Sequence, residues 1–235
     1  MHRGYLDLLG ERAESHVTAA QRLMHSGALP RIYERVWRPV LFGLSKGGPF
    51  GPSTAEEYAL ARYWLGLEDT PGATVLDVAC GPGNVTRALT SGLTGDGLVV
   101  GADASATMLD RAVADTPEDA AAAYVRCDAV DLPFRDNAFD AVCCFGALYL
   151  FDDPWAAVDG MARVLRPGGR IVLLTTRRPR LPVTGRGLGA VSRLAGIRMF
   201  GPAELTEALA ATGFSAIRRR SYGLMQFAGA TRRHL

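Results

Sequence analysis

The sequence predicts a doubly wound α/β fold, with helices on both faces of a mostly parallel sheet, preceded by a helical N-terminal extension. Three observations predict it. From Thr74 onward, strand-like runs alternate with helix-like runs. The strand runs "TVLDVA", "LVVGA", "AVCCF" and "IVLLT" are apolar almost throughout, as strands covered on both faces must be. The first of them opens into a glycine turn, "ACGPGN", that leads directly into a helix.

The elements follow in order. Residues 11 to 44 read as two helical pieces split by "SGALP" at Ser26 to Pro30. Ala13, Val17, Ala20 and Met24 form one narrow apolar stripe, and Ile32, Tyr33, Val36, Trp37, Val40 and Leu41 a broader one. "SKGGPFGPS" is a Gly/Pro-rich loop, and Thr54 is expected to cap a helix carrying Tyr58, Ala61, Trp64 and Leu65. Beyond "EDTPGA", strands are expected at Thr74–Ala79, Leu98–Ala102, Ala122–Cys127, Phe139–Cys144 and Arg170–Thr175. Helices are expected at Asn84–Gly92, Ala106–Ala114 and Asp153–Leu165. The chain thus divides into an extension or lid at 1–70 and an α/β domain at 71–235, with an insert at 176–201.

Composition narrows the classes of function. At 235 residues, 48% apolar and 21% charged, the chain is a soluble globular domain with decoration. No apolar run approaches the ~18 residues of a membrane span. The opening residues lack the pattern of a signal peptide. Cys80, Cys127, Cys143 and Cys144 lie in or beside apolar runs with no C-x-x-C pair, so reduced, buried thiols in a cytoplasmic protein are expected, and no metal site. The net charge of +2 hides an asymmetry: 12 basic against 22 acidic residues up to 159, then 14 against 2 from 160 onward. A basic C-terminal third can face an anionic substrate or an anionic membrane surface. Nucleic acid is disfavoured, because no stacking platform accompanies the arginines.

In a doubly wound sheet the ligand sits beyond the carboxyl ends of the strands, where strand order reverses. At the first strand end, Gly81 and Gly83 permit a tight turn with close backbone approach. At the second, Asp103 stands 20 residues past Gly83, where a carboxylate can accept hydrogen bonds from ribose hydroxyls. At the third, Asp128 is placed to meet an adenine amino group, and at the fourth Phe145 and Gly146 end the strand. A dinucleotide fingerprint, G-x-G-x-x-G, fails here because its third glycine position is Thr86. Asp77, inside the first strand, suits a cationic ligand better than a pyrophosphate.

Taken together, "VLDVACGPGNVTRAL", "GADASATMLDRA", "CDAVDLPFRDNAFDAV" and "MARVLRPGGRIVL" resemble the class I S-adenosylmethionine-dependent methyltransferases. Within them, the motifs are most similar to the branch of the ubiquinone/menaquinone C-methyltransferases. The resemblance covers roughly Val75 to Thr176 and continues more weakly to the end. It implies a Rossmann-like methyltransferase fold, a seven-stranded sheet ending in an antiparallel hairpin at Phe214–Ser221 and Leu224–Thr231, with its turn at Tyr222-Gly223. It implies S-adenosylmethionine as cofactor, with Asp77 orienting the glycine loop and the methionine amino group, and backbone at Ala79, Gly81 and Gly83 lining that moiety. Asp103 holds the ribose, Asp128 and the Ala129 backbone read the adenine edge, and the Phe145 backbone closes the site near the methyl group. Met108 either packs on the adenine or belongs to the helix core. Asp140, Leu132, Phe134, Gly168 and Gly169 are read as structural.

The resemblance also implies methyl transfer to a small, hydrophobic acceptor such as a quinone, lipid or polyketide-like metabolite. The alternative is a catalytically silent protein that keeps the fold for binding or regulation. If a base is needed, the candidates are Tyr149, past the fourth strand where relatives often carry histidine, and His16 or His25 in the extension. The insert carries Arg177, Arg178, Arg180, Arg186, Arg193 and Arg198 beside apolar residues. This makes it either a solvated face or a contact for an anionic acceptor or membrane surface.

Overall fold

A computed structural model of the protein describes residues 4–10, 48, 51–178 and 197–234. Its elements run β1 (Leu6–Asp7), α1 (Thr54–Leu65), β2 (Thr74–Val78), α2 (Asn84–Thr90), β3 (Leu98–Asp103), α3 (Ala106–Ala114), β4 (Ala122–Arg126) and β5 (Phe139–Phe145). A 3-10 turn at Leu148–Leu150 leads to α4 (Pro154–Val164), β6 (Leu165–Thr176), α5 (Glu204–Ala211), β7 (Phe214–Tyr222) and β8 (Met225–Arg232). The strands form one sheet in the order β1-β4-β3-β2-β5-β6-β8-β7. All pairs are parallel except those of β8, which runs antiparallel to both β6 and β7. The chain winds outward from β2 through β3 to β4, then restarts on the other side of β2 with β5. That reversal opens a crevice at the carboxyl ends of β2 and β5.

The doubly apolar strands bury a core on each face. On one face Leu76, Val142, Ile171 and Leu173 pack with Met161 of α4, Leu205 of α5 and Phe200. On the other, Val75, Val99, Val172 and Leu174 pack with Trp64 of α1 and Phe227 of β8. Phe227 meets three rings edge-on, Phe145 at 5.7 Å, Tyr222 at 6.3 Å and Trp64 at 6.4 Å, and so ties the tip of β5 to the hairpin and to α1. A third, smaller cluster of Tyr5, Cys80, Leu109, Ala112 and Tyr124 lies under the glycine turn and α3.

Several boundaries differ from those read off the sequence. The sheet has an eighth strand, Leu6–Asp7, too short to show a period; the Asp7–Arg126 ion pair at 2.9 Å and burial of Tyr5 hold it on β4. Ser53, not Thr54, caps α1, because it closes a capping box in which its hydroxyl accepts from the Glu56 N–H at 3.2 Å and the Glu56 carboxylate accepts from the Ser53 N–H at 2.8 Å. β6 begins at Leu165 and absorbs Gly168 and Gly169 as an irregularity within the strand. A Cβ on Gly169 would stand 2.9 Å from the Asp140 carbonyl, so close backbone approach explains that glycine. The hairpin turn is Gly223-Leu224, one residue later than expected, with Gly223 at φ +53° in the first central position, where a type II′ turn requires a left-handed residue. Asp140 receives the Thr74 N–H at 2.7 Å and pairs with Arg166 at 2.5 Å, while Phe134 stacks edge-on with Phe139 at 5.0 Å.

Candidate cofactor and acceptor site

The turn after β2 is built from left-handed backbone. Ala79, Gly81 and Gly83 have φ of +56°, +55° and +75°. Ala79 is not a glycine, and holding it there costs about 1 kcal/mol. The two glycines differ in what surrounds them. A Cβ on Gly83 would fall 2.5 Å from the Tyr124 hydroxyl, so this glycine packs against protein. A Cβ on Gly81 would meet nothing within 4 Å, so that side of the turn borders open space.

Beneath the turn, Asp77 is almost completely buried. One carboxylate oxygen accepts from the Thr86 hydroxyl at 2.7 Å and the other from the Cys143 thiol at 3.4 Å. Burial pushes the Asp77 carboxyl up to about 6, with the nearby Asp103 charge adding to the shift and the hydrogen bonds from Thr86 and Cys143 opposing it. Thr86 occupies the position where a dinucleotide fold needs its third glycine. In the sequence it only excludes that fold; in the structure it donates to Asp77. Room for it comes from Gly101, where a Cβ would lie 2.9 Å from the Thr86 hydroxyl oxygen and 2.8 Å from the Tyr124 ring. All four cysteines are buried and reduced, and burial pushes every thiol up, Cys127 to about 12.

At the end of β3, Asp103 fastens two loops. One of its oxygens accepts from the Gly81 N–H and the other from the Ser105 N–H, both at 2.8 Å. A carboxylate oxygen can accept more than one hydrogen bond. Ser105 in turn caps α3, its hydroxyl accepting from the Met108 N–H at 3.3 Å; Met108 itself is half-buried. Arg126, at the end of β4, holds the same loop by donating to the Ala104 carbonyl at 3.0 Å. Just beyond it Asp128 is exposed and Ala129 half-buried, and the Asp128 carboxylate accepts from the Val130 N–H at 2.9 Å.

Phe145 ends β5, half-buried against Phe227. Tyr149 follows in the 3-10 turn and packs between the two main cores. The strand ends therefore bring Asp77, Ala79, Gly81, Gly83, Asp103, Asp128, Ala129, Phe145 and Tyr149 to one edge of the sheet. His16 and His25 lie outside the described residues. So do Arg180, Arg186 and Arg193 of the insert. Its other arginines make contacts within the chain: Arg177 donates to the Gly223 carbonyl at 2.9 Å and Arg178 to the Met199 carbonyl at 3.1 Å. Arg198 pairs with Glu204 at 2.6 Å and lies 5.2 Å over the rings of Trp155 and Phe200.

Residues 76–173 match the family model described as a methyltransferase domain. Over 112 residues, 48% of this chain and 46% of its relative, the sequence is 41% identical to a demethylmenaquinone methyltransferase of Staphylococcus aureus. Residues 76–173 are thus similar to a methyltransferase domain, the class whose motifs the sequence also resembles. The chain spans about half the length of the curated relatives it matches.

Two of the solved structures similar in fold to this chain are a methyltransferase and a cyclase. One is a phosphoethanolamine N-methyltransferase of Haemonchus contortus in complex with phosphomonomethylethanolamine and S-adenosylhomocysteine: TM-score 0.69, 17% identity, 93% of this chain and 61% of that one. The other is the [4+2]-cyclase SpnF: TM-score 0.67, 18% identity, 92% and 97%. Fold alone therefore leaves the reaction open. The residues present fit S-adenosylmethionine: a turn bordering open space, a buried carboxylate beneath it, and a second carboxylate at the end of the neighbouring strand. No helix among the described residues is long and apolar enough to cross a membrane.

Proposed function

We propose that the protein transfers a methyl group from S-adenosylmethionine to a small, hydrophobic acceptor, with a quinone-type ring the best-supported class. The observation that carries the transfer is the completeness of the cofactor end, where Asp77, Asp103 and the left-handed turn are cross-fastened by Thr86, Cys143, Gly81 and Ser105. The stretch of identity with the demethylmenaquinone enzyme supports the acceptor class. In this reading Asp77 faces the methionine amino group through the turn, backbone at Ala79, Gly81 and Gly83 lines the methionine moiety, and Asp103 holds the ribose. Asp128 and Ala129 meet the adenine edge, Met108 packs on its ring, and the Phe145 backbone borders the reacting end.

When bound, the cofactor supplies a methyl group on a positively charged sulfur, electrophilic without further activation. The chain's own residues have to align the acceptor in line with it and exclude water. In this reading the acceptor lies over β5, β6 and β8, beyond the cofactor residues of β4, β3 and β2. Where the acceptor loses a proton, Tyr149 is the described candidate to receive it. Contact of the insert with an anionic acceptor or membrane surface is proposed through Arg180, Arg186 and Arg193.

The test is calorimetric titration of the full chain with S-adenosylhomocysteine and with NADH, followed by turnover across quinol, phenol and lipid acceptors read as S-adenosylhomocysteine formed. Binding of the first ligand, no binding of NADH, and product above background with a quinol is the expected result. Preference for NADH overturns the cofactor assignment. Cofactor binding without product across the panel would instead leave the silent, binding-only alternative.

A further inference from the structure

At the carboxyl end of β6, three polar atoms are buried without a hydrogen-bond partner among the described residues: the Thr175 hydroxyl, the Gln226 side-chain oxygen and Nε of Arg177. Thr175 and Gln226 are directly opposed across the antiparallel β6–β8 ladder, so their side chains share a face. It is the face of Leu173 and Ala228, covered by α4, α5 and Phe200. Arg177 lies two residues past Thr175, and its N–H continues the ladder to the Leu224 carbonyl at 2.6 Å, which sets it on the same side. Thr175 and Gln226 are both fully buried.

Two of the three groups are anchored through another atom. The Gln226 amide NH2 donates to the Thr176 carbonyl at 3.0 Å, which leaves its oxygen wanting a donor. The Arg177 guanidinium is tied to the Gly223 carbonyl through its terminal nitrogen. Over this end runs the strap Ile197–Phe200, held by the Arg198 N–H to the Tyr149 carbonyl at 3.0 Å, the Thr176 hydroxyl to the Arg198 carbonyl at 2.5 Å, and the Arg178 N–H to the Phe200 carbonyl at 2.8 Å. Native proteins rarely leave such atoms unmatched, and a cluster of them on one face calls for a specific explanation. Under the strap a hydrogen bond made to them is shielded from water, where it counts most.

We infer that Thr175, Gln226 and Arg177 form a subsite that binds a hydroxyl group of the acceptor. The chemistry of the trio selects that group. Gln226 needs a donor, Arg177 Nε supplies one, and Thr175 can do either; a hydroxyl donates one bond and accepts others, and so matches all three. An ether or a quaternary ammonium has no hydrogen to give Gln226, and of a quinone-type ring only the reduced, quinol form has one. The subsite therefore discriminates by leaving its own polar groups unpaired when the wrong acceptor enters. The inference rests on the methyltransferase reading for calling the ligand an acceptor, but binding tests it separately.

The probes are 1-naphthol and 1-methoxynaphthalene, which differ in one hydroxyl, titrated by fluorescence or calorimetry into the full chain saturated with S-adenosylhomocysteine. Wild type is expected to bind 1-naphthol at least about tenfold more tightly. Gln226→Met and Thr175→Val should each remove most of that preference, and Thr175→Ser should keep it. Thr175→Val should melt at or above the wild-type temperature, because it removes an orphan polar atom, and a merely structural role would lower it; Gln226→Met also loses the amide bond to the Thr176 carbonyl and is read by probe preference alone. Equal binding of the two probes, retained preference in both apolar variants, or no binding of either probe would overturn the subsite. Failure of S-adenosylhomocysteine to bind while the naphthol preference persists would overturn the methyltransferase reading and leave the subsite standing.

Discussion

The two ends of the sheet's carboxyl edge are finished to different degrees. Around β2 and β3, both oxygens of Asp77 and both of Asp103 are engaged by protein donors. Around β6 and β8, Thr175, Arg177 and Gln226 keep buried polar atoms unmatched among the described residues. The first end is fixed before any ligand arrives, at the cost of a buried charge and a strained Ala79. The second is apolar enough to shut out water and is completed only by what enters it. A protein that uses one cofactor but must recognise its own acceptor needs this division: invariant chemistry is held by cross-braced loops, and selectivity by groups waiting for a partner.

The sharpest way to break the comparison is to remove the buried charge. The Asp77 carboxyl titrates near 6 in the fold against an ordinary 3.8. Well below the ordinary 3.8, folded and unfolded chains both carry the proton, so the group is neutral to stability. As pH rises from about 4 to 6 the unfolded chain ionises first and stability falls; above 6 the loss is complete, on the order of 3 kcal/mol. Asp77→Asn should therefore come close to wild type in thermal stability at pH 4, exceed it increasingly as pH rises through about 6, and hold that margin at pH 7.5. Binding should move the opposite way. Wild-type affinity for S-adenosylhomocysteine should fall as pH drops below about 6, when the carboxylate facing the ligand's amino group is lost, while Asp77→Asn binds weakly and with a flat profile. A stability difference that does not change between pH 4 and 7.5 would show that Asp77 is not held as a destabilising buried charge.

A smaller effect separates ligand contact from loop fastening at Asp103. Asp103→Ala removes the acceptors for the Gly81 and Ser105 N–H groups together with the proposed ribose contact. It should weaken S-adenosylhomocysteine binding by about 1–3 kcal/mol and lower the melting temperature. Asp103→Asn keeps one carbonyl oxygen to fasten a loop, so it should recover most of the stability and little of the affinity. Equal recovery of both by Asn would make Asp103 a loop fastener only.

This contrast also explains what was legible in the sequence. The strand order of a doubly wound sheet follows from alternation and from strands apolar on both faces, and the positions of Asp77 and Asp103 follow from their place at strand ends. Those are local or periodic signals. Thr86 was visible only as a missing glycine, because its bond to Asp77 joins α2 to β2 and its space comes from Gly101 on β3. Leu6–Asp7 was invisible because two residues carry no period. The Thr175–Gln226 pair depends on the register of an antiparallel ladder between distant segments, and a one-residue slip would have turned the two side chains to opposite faces. Cofactor chemistry is thus written in motifs, whereas acceptor chemistry is written in register.

The mildest prediction tests whether strain belongs to the cofactor end. Ala79 sits at φ +56°, where glycine is at no steric disadvantage. Ala79→Gly should relieve about 1 kcal/mol of native strain, offset in part by the extra freedom glycine gives the unfolded chain. The net expectation is a melting temperature slightly above wild type in the absence of ligand. The same change loosens a turn whose neighbours Gly81 and Gly83 are already glycine, so affinity for S-adenosylhomocysteine should fall a few-fold even as stability rises. If both quantities rise, the strained alanine plays no part in presenting the turn, and the rigidity of this end comes from the Asp77–Thr86 and Asp103–Gly81 braces alone. If both fall, the alanine methyl makes a packing contact that outweighs its backbone strain, and the turn is held from its side chains rather than from its backbone.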